Sequence, residues 1–401
     1  MKIAFLLDSV VISGGINVVF EYATRLQELG HSSTMIMHNK LSLERKELDW
    51  FPKSNKLVWR TYDELSKDEY FDIVIATWWK TFYDLHRVNA KHYVYFVQSI
   101  ESRFYDVEEK TLRKLVESTY MLNLPIITEA KWIKEYLEYN YQANVQLVRN
   151  GINKDVFRPD GACIQARDPN KLRVLVEGPL KVPFKNVPTT IRLCKESKAD
   201  EIWLLTSTPI KTVQGIDRVF SQIPIEKTAE VYRSCDVIIK LSYVEGMFGP
   251  PLEIFHCGGT AITYDVTGYD EYLIHEENSL IAKTADEQTV ILYINQLKDN
   301  KDMVENLKRG ALKTAITWNG WDKSVRDFET ALLNIMNLPE IKISTFKMQS
   351  EFLYDWYLLA DKYRTMHFDP LSRIKENLKA YLKISYPKTF STLKQLRGRL
   401  R

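Results

Sequence analysis

Between Lys240 and Gly259 the chain reads Lys-Leu-Ser-Tyr-Val-Glu-Gly-Met-Phe-Gly-Pro-Pro-Leu-Glu-Ile-Phe-His-Cys-Gly-Gly. An apolar run ending at Leu241 precedes a Gly- and Pro-containing turn, and a second apolar run, Leu252-Glu253-Ile254-Phe255, closes at Gly258-Gly259. The order is that of strand, tight loop and helix N-terminus. A helix start presents unpaired backbone N–H groups and the positive end of the dipole, which suits a phosphate. Glu245 lies in the loop and Glu253 in the first turns of the helix, so both can face one cleft. A ligand carrying both phosphate and hydroxyls fits such a site.

The same order repeats along the chain. Ile3 to Leu7 is a continuous apolar run suited to a strand buried on both faces. A loop then leads through Gly14-Gly15 into a helix with Ile16, Val19, Phe20, Ala23, Leu26 and Leu29 on one stripe and Gly30 as its stop. No G-x-G-x-x-G fingerprint follows the strand, which disfavours a Rossmann oxidoreductase. Further strands are expected at Thr34 to Met37, Phe71 to Ala76, His92 to Val97 and Leu124 to Thr128. A second series is expected at Leu172 to Gly178, Ile202 to Leu205, Asp236 to Leu241 and Thr260 to Tyr264, with two helices around a short strand before Ala315. Alternating strands and helices imply α/β architecture: two Rossmann-like parallel sheets, with ligands at the carboxyl ends of strands. Three strand ends in the first half are chemically rich: Thr77-Trp78-Trp79-Lys80, Gln98-Ser99-Ile100-Glu101, and Thr128-Glu129.

Length agrees, since 401 residues exceed one ordinary core and fit two domains with an extension. A net charge of +3 is too small to argue for nucleic acid. Cys163, Cys194, Cys235 and Cys257 are widely spaced and read as reduced thiols of a cytosolic protein. The opening apolar run is too short for a signal peptide, and no stretch approaches the roughly 20 apolar residues of a membrane span. The expected location is the cytoplasm, with any membrane contact peripheral. Phe352, Leu353, Trp356, Tyr357 and Ala360 form one apolar helical stripe, and Leu371, Ile374, Leu378, Tyr381 and Leu382 another. From Leu371 to Arg401 there are nine Lys or Arg against Glu376 alone, which suits an anionic membrane surface on the inner face of the cell membrane. The other reading of this tail is a helix packed on the protein, or self-association as a homodimer.

The stretch from Lys240 to Gly259 resembles the Glu-x7-Glu signature of the retaining glycosyltransferases of family four, a GT-B family. Ser242, Gly246, Phe248-Gly249-Pro250 and Cys257-Gly258 stand in the family's order. Val148 to Pro159 resembles the segment that joins the two family domains. The resemblance covers roughly Met1 to Met336. It implies a first domain over 1–158 on the acceptor side, a nucleotide-sugar domain over 165–322, a helix over 323–340 that crosses back, and an extension over 341–401.

The resemblance also implies roles. Glu245 binds and orients the donor sugar, and Glu253 accepts the ribose hydroxyls of a nucleoside-diphosphate sugar. Lys185 and the N–H groups of Met247, Phe248 and Gly249 stabilise the departing diphosphate. Gly178 opens the loop where the family places an arginine; Pro179 stands there instead, with Lys181 as the substitute cation. The base falls near Gln222 to Ile225. Gly14, Gly15 and Ile16 close over sugar and acceptor, Trp78 and Trp79 are candidate sugar platforms, and Glu101 lies on the same side. Gln98 occupies a position where many members have histidine, which suits positioning rather than proton transfer. No cofactor or metal is implied. The expected enzyme is a hexosyltransferase building bacterial cell-surface polysaccharide on a saccharide or lipid-linked saccharide acceptor, with a faint similarity to rhamnosyl transfer. The alternatives are a GT-B sugar-nucleotide epimerase and a non-catalytic nucleotide-sugar binding protein.

Overall fold

The computed structural model describes residues 1–42, 44, 46–340 and 343–367. Among them the chain builds two parallel sheets. The first contains β1 (Lys2–Leu7), β2 (Ser32–Met37), β3 (Val58–Thr61), β4 (Phe71–Ala76), β5 (Ala90–Val97), β6 (Ile126–Thr128) and β7 (Val145–Leu147), in the order β3-β2-β1-β4-β5-β6-β7. The second contains β8 (Arg173–Glu177), β9 (Glu201–Thr206), β10 (Arg218–Ser221), β11 (Val237–Lys240), β12 (Thr260–Tyr264) and β13 (Ser279–Ala282), in the order β10-β9-β8-β11-β12-β13. Every strand pair is parallel, so each crossover needs a covering segment and each central strand is buried on both faces. That is why Ile3 to Leu7 and Val237 to Ile239 are unbroken apolar runs with no exposed surface.

Helices cover the sheets: α1 (Gly14–Glu28), α2 (Trp79–Tyr83), α3 (Lys110–Ser118) and α4 (Lys131–Tyr141) in the first half, then α5 (Val187–Glu196), α6 (Ile225–Ser234), α7 (Gly249–His256), α8 (Glu287–Asp299) and α9 (Lys301–Thr317) in the second. The short strand expected between the last two helices instead precedes both, as β13. Three strands escaped the sequence reading, β3, β7 and β10. All lie at sheet edges and run only three or four residues, where a strand needs no continuous apolar run.

Two passes of the chain join the halves. At the first, a Cβ on Gly151 would stand 2.4 Å from the backbone nitrogen of Trp321, and Ile152 N–H donates to Asn319 O at 3.0 Å. Only glycine permits backbone to meet backbone this closely. From there α10 (Trp321–Met336) returns to the first half, burying Trp321, Val325, Phe328 and Leu332 against α1; Tyr22 and Phe328 stack with centroids 4.2 Å apart.

The last described helix, α11 (Ile343–His367), lies on the outer layer of the first sheet. Its expected single stripe is divided. Leu353 and Tyr357 pack against Trp79, Tyr83, Leu115 and Val116, whereas Phe352 and Trp356 are exposed. No helix of the described residues is long and apolar enough to cross a membrane. The basic segment 371–401 lies outside the described residues.

Candidate active site

Strand ends from both sheets meet at a cavity of about 770 Å³. The first half contributes Gly14, Gly15, Ile16, Trp78, Gln98, Glu101 and Glu129; the second contributes Glu177, Lys185, Lys240, Glu245, Met247, Gly249 and Glu253.

Glu245 is fixed by two loops that knit together. After β8 a 3-10 turn, Pro183–Lys185, ends at Asn186 in the left-handed region. Asn186 Nδ2 donates to Leu241 O at 3.1 Å, and Tyr243 N–H donates to Phe184 O at 2.8 Å. This holds Lys185 Nζ 2.7 Å from Glu245 Oε2. On the other side Lys240 Nζ lies 3.8 Å from Glu245 Oε1 and bonds Glu177 Oε2. Glu245 is 6% exposed, and burial alone would neutralise it. The Lys185 and Lys240 ammoniums outweigh that penalty and hold its carboxyl below the ordinary value. Oε1 has no hydrogen-bond partner among the described residues. The result is an ionised acceptor with one oxygen that makes no hydrogen bond.

Lys240 and Glu177 were missed by the sequence reading, although Lys240 began the stretch it singled out. Each is the last residue of a buried apolar strand, Val-Ile-Ile-Lys in β11 and Val-Leu-Val-Glu in β8, and these strands are neighbours. A charge closing such a strand is the signal, because strand carboxyl ends are where ligands gather. Lys181, expected as the second cation, is exposed and outside the cavity lining. Gly178 is a turn residue with φ +136° that shapes the loop without lining the cavity.

The phosphate loop departs from expectation. Met247 N–H donates to Glu129 Oε1 at 3.0 Å, and Gly249 N–H folds back to Met247 O at 2.9 Å. Pro250 and Pro251, next in α7, have no N–H. The Phe248 side chain is buried in the core, and its carbonyl accepts from Tyr272 OH. The anion-binding capacity of this helix start is therefore small, and the two lysines are the cations that the second half brings to the site. Glu253 accepts a hydrogen bond from Tyr232 OH at 2.9 Å, and burial lifts its pKa to about 7.

Across the cleft, Gly15 lies under Gln98: a Cβ on Gly15 would come within 3.3 Å of Gln98 Oε1, a buried oxygen with no partner among the described residues. Trp78 lines the cavity with one face stacked on Phe104 at 5.7 Å, and Phe104 in turn stacks on Phe184 of the second half at 4.7 Å. Trp79 is core: 5% exposed, its Nε1 donates to Tyr105 OH. Glu101 turns inward, accepting from Trp79 N–H at 2.7 Å and Tyr95 OH at 2.8 Å; burial lifts its pKa to about 8. Both bonds fall on Oε2, so Glu101 ties the start of α2 to β5, while Trp79 offers no free platform.

Glu129, noted only as part of a rich strand end, is an interdomain clamp. Its Oε2 accepts from Asn150 Nδ2 at 2.6 Å while Oε1 holds Met247 N–H, and burial lifts its pKa to about 7. Ser99 Oγ donates to Glu245 O at 3.3 Å and Trp132 Nε1 to Gly246 O at 3.0 Å. First-half side chains thus grip three consecutive residues of the Glu245 loop.

Residues 216–314 match the family described as Glycosyl transferases group 1. Over 236 residues the chain is 26% identical to the O-antigen biosynthesis protein RfbC of Myxococcus xanthus, a match covering 53% of this chain and 17% of that much longer protein. Among solved structures, sucrose-phosphate synthase of Thermosynechococcus elongatus superposes with a TM-score of 0.67 at 15% identity, covering 84% of this chain and 99% of the other. HepE of Anabaena in complex with UDP and glucose superposes with a TM-score of 0.66 at 12% identity, covering 83% and 100%. The fold is GT-B. The matched segment, which carries Glu245 and Glu253, is similar to the glycosyl transferases of group 1.

Proposed function

We propose that the protein is a retaining transferase of family four type, moving a hexosyl group from a nucleoside-diphosphate sugar to a saccharide acceptor in cell-surface polysaccharide synthesis. Glu245 carries this reading, as a buried, ionised carboxylate held by two lysines, with one oxygen that has no hydrogen-bond partner among the described residues. Lys185 and Lys240 face the charge that grows on the departing diphosphate, the place where preorganised cations contribute most. Glu253 takes the ribose hydroxyls, and Gln98 with Gly15 orients the sugar from the opposite wall. The sugar C–O bond to phosphate breaks with the electron pair leaving on the diphosphate. The acceptor oxygen bonds the anomeric carbon on the same face, and its proton passes to the leaving phosphate, so no protein base is required.

The acceptor is assigned to the Gly14, Trp78 and Gln98 wall and is lipid-linked; the donor sugar is of the rhamnosyl kind. The relative's part in O-antigen biosynthesis supports the polysaccharide setting. In this reading the protein works at the inner face of the cell membrane, with 371–401 on anionic lipid. A thermal-shift screen of nucleoside-diphosphate sugars tests donor recognition. One donor is expected to stabilise the protein by about 2.7 kcal/mol at a hundredfold excess over Kd; no stabilisation by any donor contradicts the reading. Conversion of the donor with no acceptor present would instead identify an epimerase, and saturable binding without consumption a carrier.

A further inference from the structure

The helix α11 carries apolar side chains on two faces. Phe346, Leu353 and Tyr357 face the protein: Phe346 meets Phe82 with ring centroids 5.3 Å apart, and the other two join the cluster around Trp79 and Val116. At the helical spacing of 100° per residue, Met348, Phe352 and Leu359 fall on a second stripe turned away from the protein, with Trp356 on its flank towards Leu353. They are 65%, 69%, 68% and 42% exposed. A surface helix ordinarily buries one apolar stripe and turns polar residues outward. A second row of four large apolar side chains marks a face that meets something other than water.

The chain beyond the helix says what. Four residues after His367 begins the segment with nine Lys or Arg against one acidic residue. We propose that the Met348, Phe352, Trp356 and Leu359 face of α11 docks in the headgroup layer of an anionic membrane, with residues 371–401 adding electrostatic hold. Apolar side chains at the acyl boundary and adjacent cations are the two signals that together give stable interfacial attachment. Asp355 borders the row, which limits it to the interface and keeps it out of the hydrocarbon. The placement also bears on the site. Trp79 packs beneath α11 while its neighbour Trp78 lines the cavity, so a membrane on α11 stands beside the first-half wall of the cleft. A preference for a lipid-linked acceptor rests on the proposed function; the docking itself does not.

The test is cosedimentation of the full-length protein with vesicles of phosphatidylglycerol and phosphatidylcholine in equal parts, and of phosphatidylcholine alone. No donor or acceptor is added, so failure of the transferase reading leaves this result standing. Binding to the anionic vesicles only is expected, weakened roughly tenfold or more by Met348→Ser, Phe352→Ser, Trp356→Ser and Leu359→Ser together. Phe352→Glu alone, with melting checked against wild type, should weaken it in the same direction. The proposal is overturned if wild type does not bind, or if variants that melt like wild type bind equally well. It is also overturned if wild type is a dimer that the substitutions convert to monomer, since a second copy then covers the face. Hydrogen exchange that protects 371–382 in the lipid-free monomer overturns it too, because the chain's own tail then fills the row.

Discussion

Glu245 is a carboxylate that burial would protonate, kept ionised by Lys185 and Lys240. Glu245→Gln preserves shape and removes charge, so transfer should fall on the order of 10²-fold if the group aligns the sugar, as measured by steady-state turnover. Lys240→Met leaves Glu177 and Glu245 short of a counter-charge in a buried setting. It should cost on the order of 3 kcal/mol in chemical denaturation and move the acidic limb of the pH–rate profile upward, because Glu245 then protonates at higher pH. Glu101 behaves oppositely. Its folded pKa of about 8 stands above its ordinary 4.5, so between those values the folded state keeps a proton that the unfolded chain has lost. Stability from this group is therefore full below 4.5 and declines as pH rises towards 8. Glu101→Gln, still able to accept from Trp79 and Tyr95, should melt higher than wild type above pH 8, with the gain vanishing near pH 5; an equal change at both pH values would contradict this. The sequence displayed Glu245, Lys185 and Gln98 because they sit in loops, where a charged or polar residue stands out. Lys240 and Glu177 were hidden at the ends of apolar strands, and Trp79 and Glu101 were placed on the sugar side because their partners, Tyr105 and Tyr95, are assigned only by packing.

Elements carry the closure of the cleft. The Glu245 loop approaches the loop after β5 so closely that a Cβ on Gly246 would lie 1.8 Å from Gln98 O. Gly246→Ala should therefore force the halves apart, breaking the Glu129 bond to Met247 N–H and lowering transfer, while leaving each sheet intact. Gly14→Ala, whose Cβ would meet nothing within 4 Å, should melt close to wild type. Comparing small-angle scattering and turnover for the two variants checks this, and a compact, active Gly246→Ala protein would contradict it. At this scale the central strands and α1, α6 and α7 were legible from apolar runs and caps. Edge strands β3, β7 and β10 were not, since one-sided pairing leaves too weak a pattern. The prolines of α7 were visible in the sequence, but their consequence for the phosphate loop emerged only once Glu129 and Met247 proved to occupy the N–H groups of Met247 and Gly249.

For the whole molecule, the two-sheet architecture followed from repetition: ten expected strands alternate with helices, and parallel pairing is what such alternation produces. The way the sheets face each other was legible only through the resemblance, which implied the joining segment and the crossing helix; the backbone contact at Gly151 and the packing of α10 against Tyr22 leave no periodic trace. The division of labour across the cleft follows from that geometry, with the backbone of the loop that carries Glu245 gripped by polar side chains of the first half. The most direct measurement is transfer of labelled sugar from the stabilising nucleoside-diphosphate donor to extracted lipid-linked saccharide, by wild type and by Glu245→Gln. The account predicts labelled saccharide and free nucleoside diphosphate in equal amounts from wild type, and donor binding without appreciable product from the variant. Near-normal turnover by Glu245→Gln would contradict it.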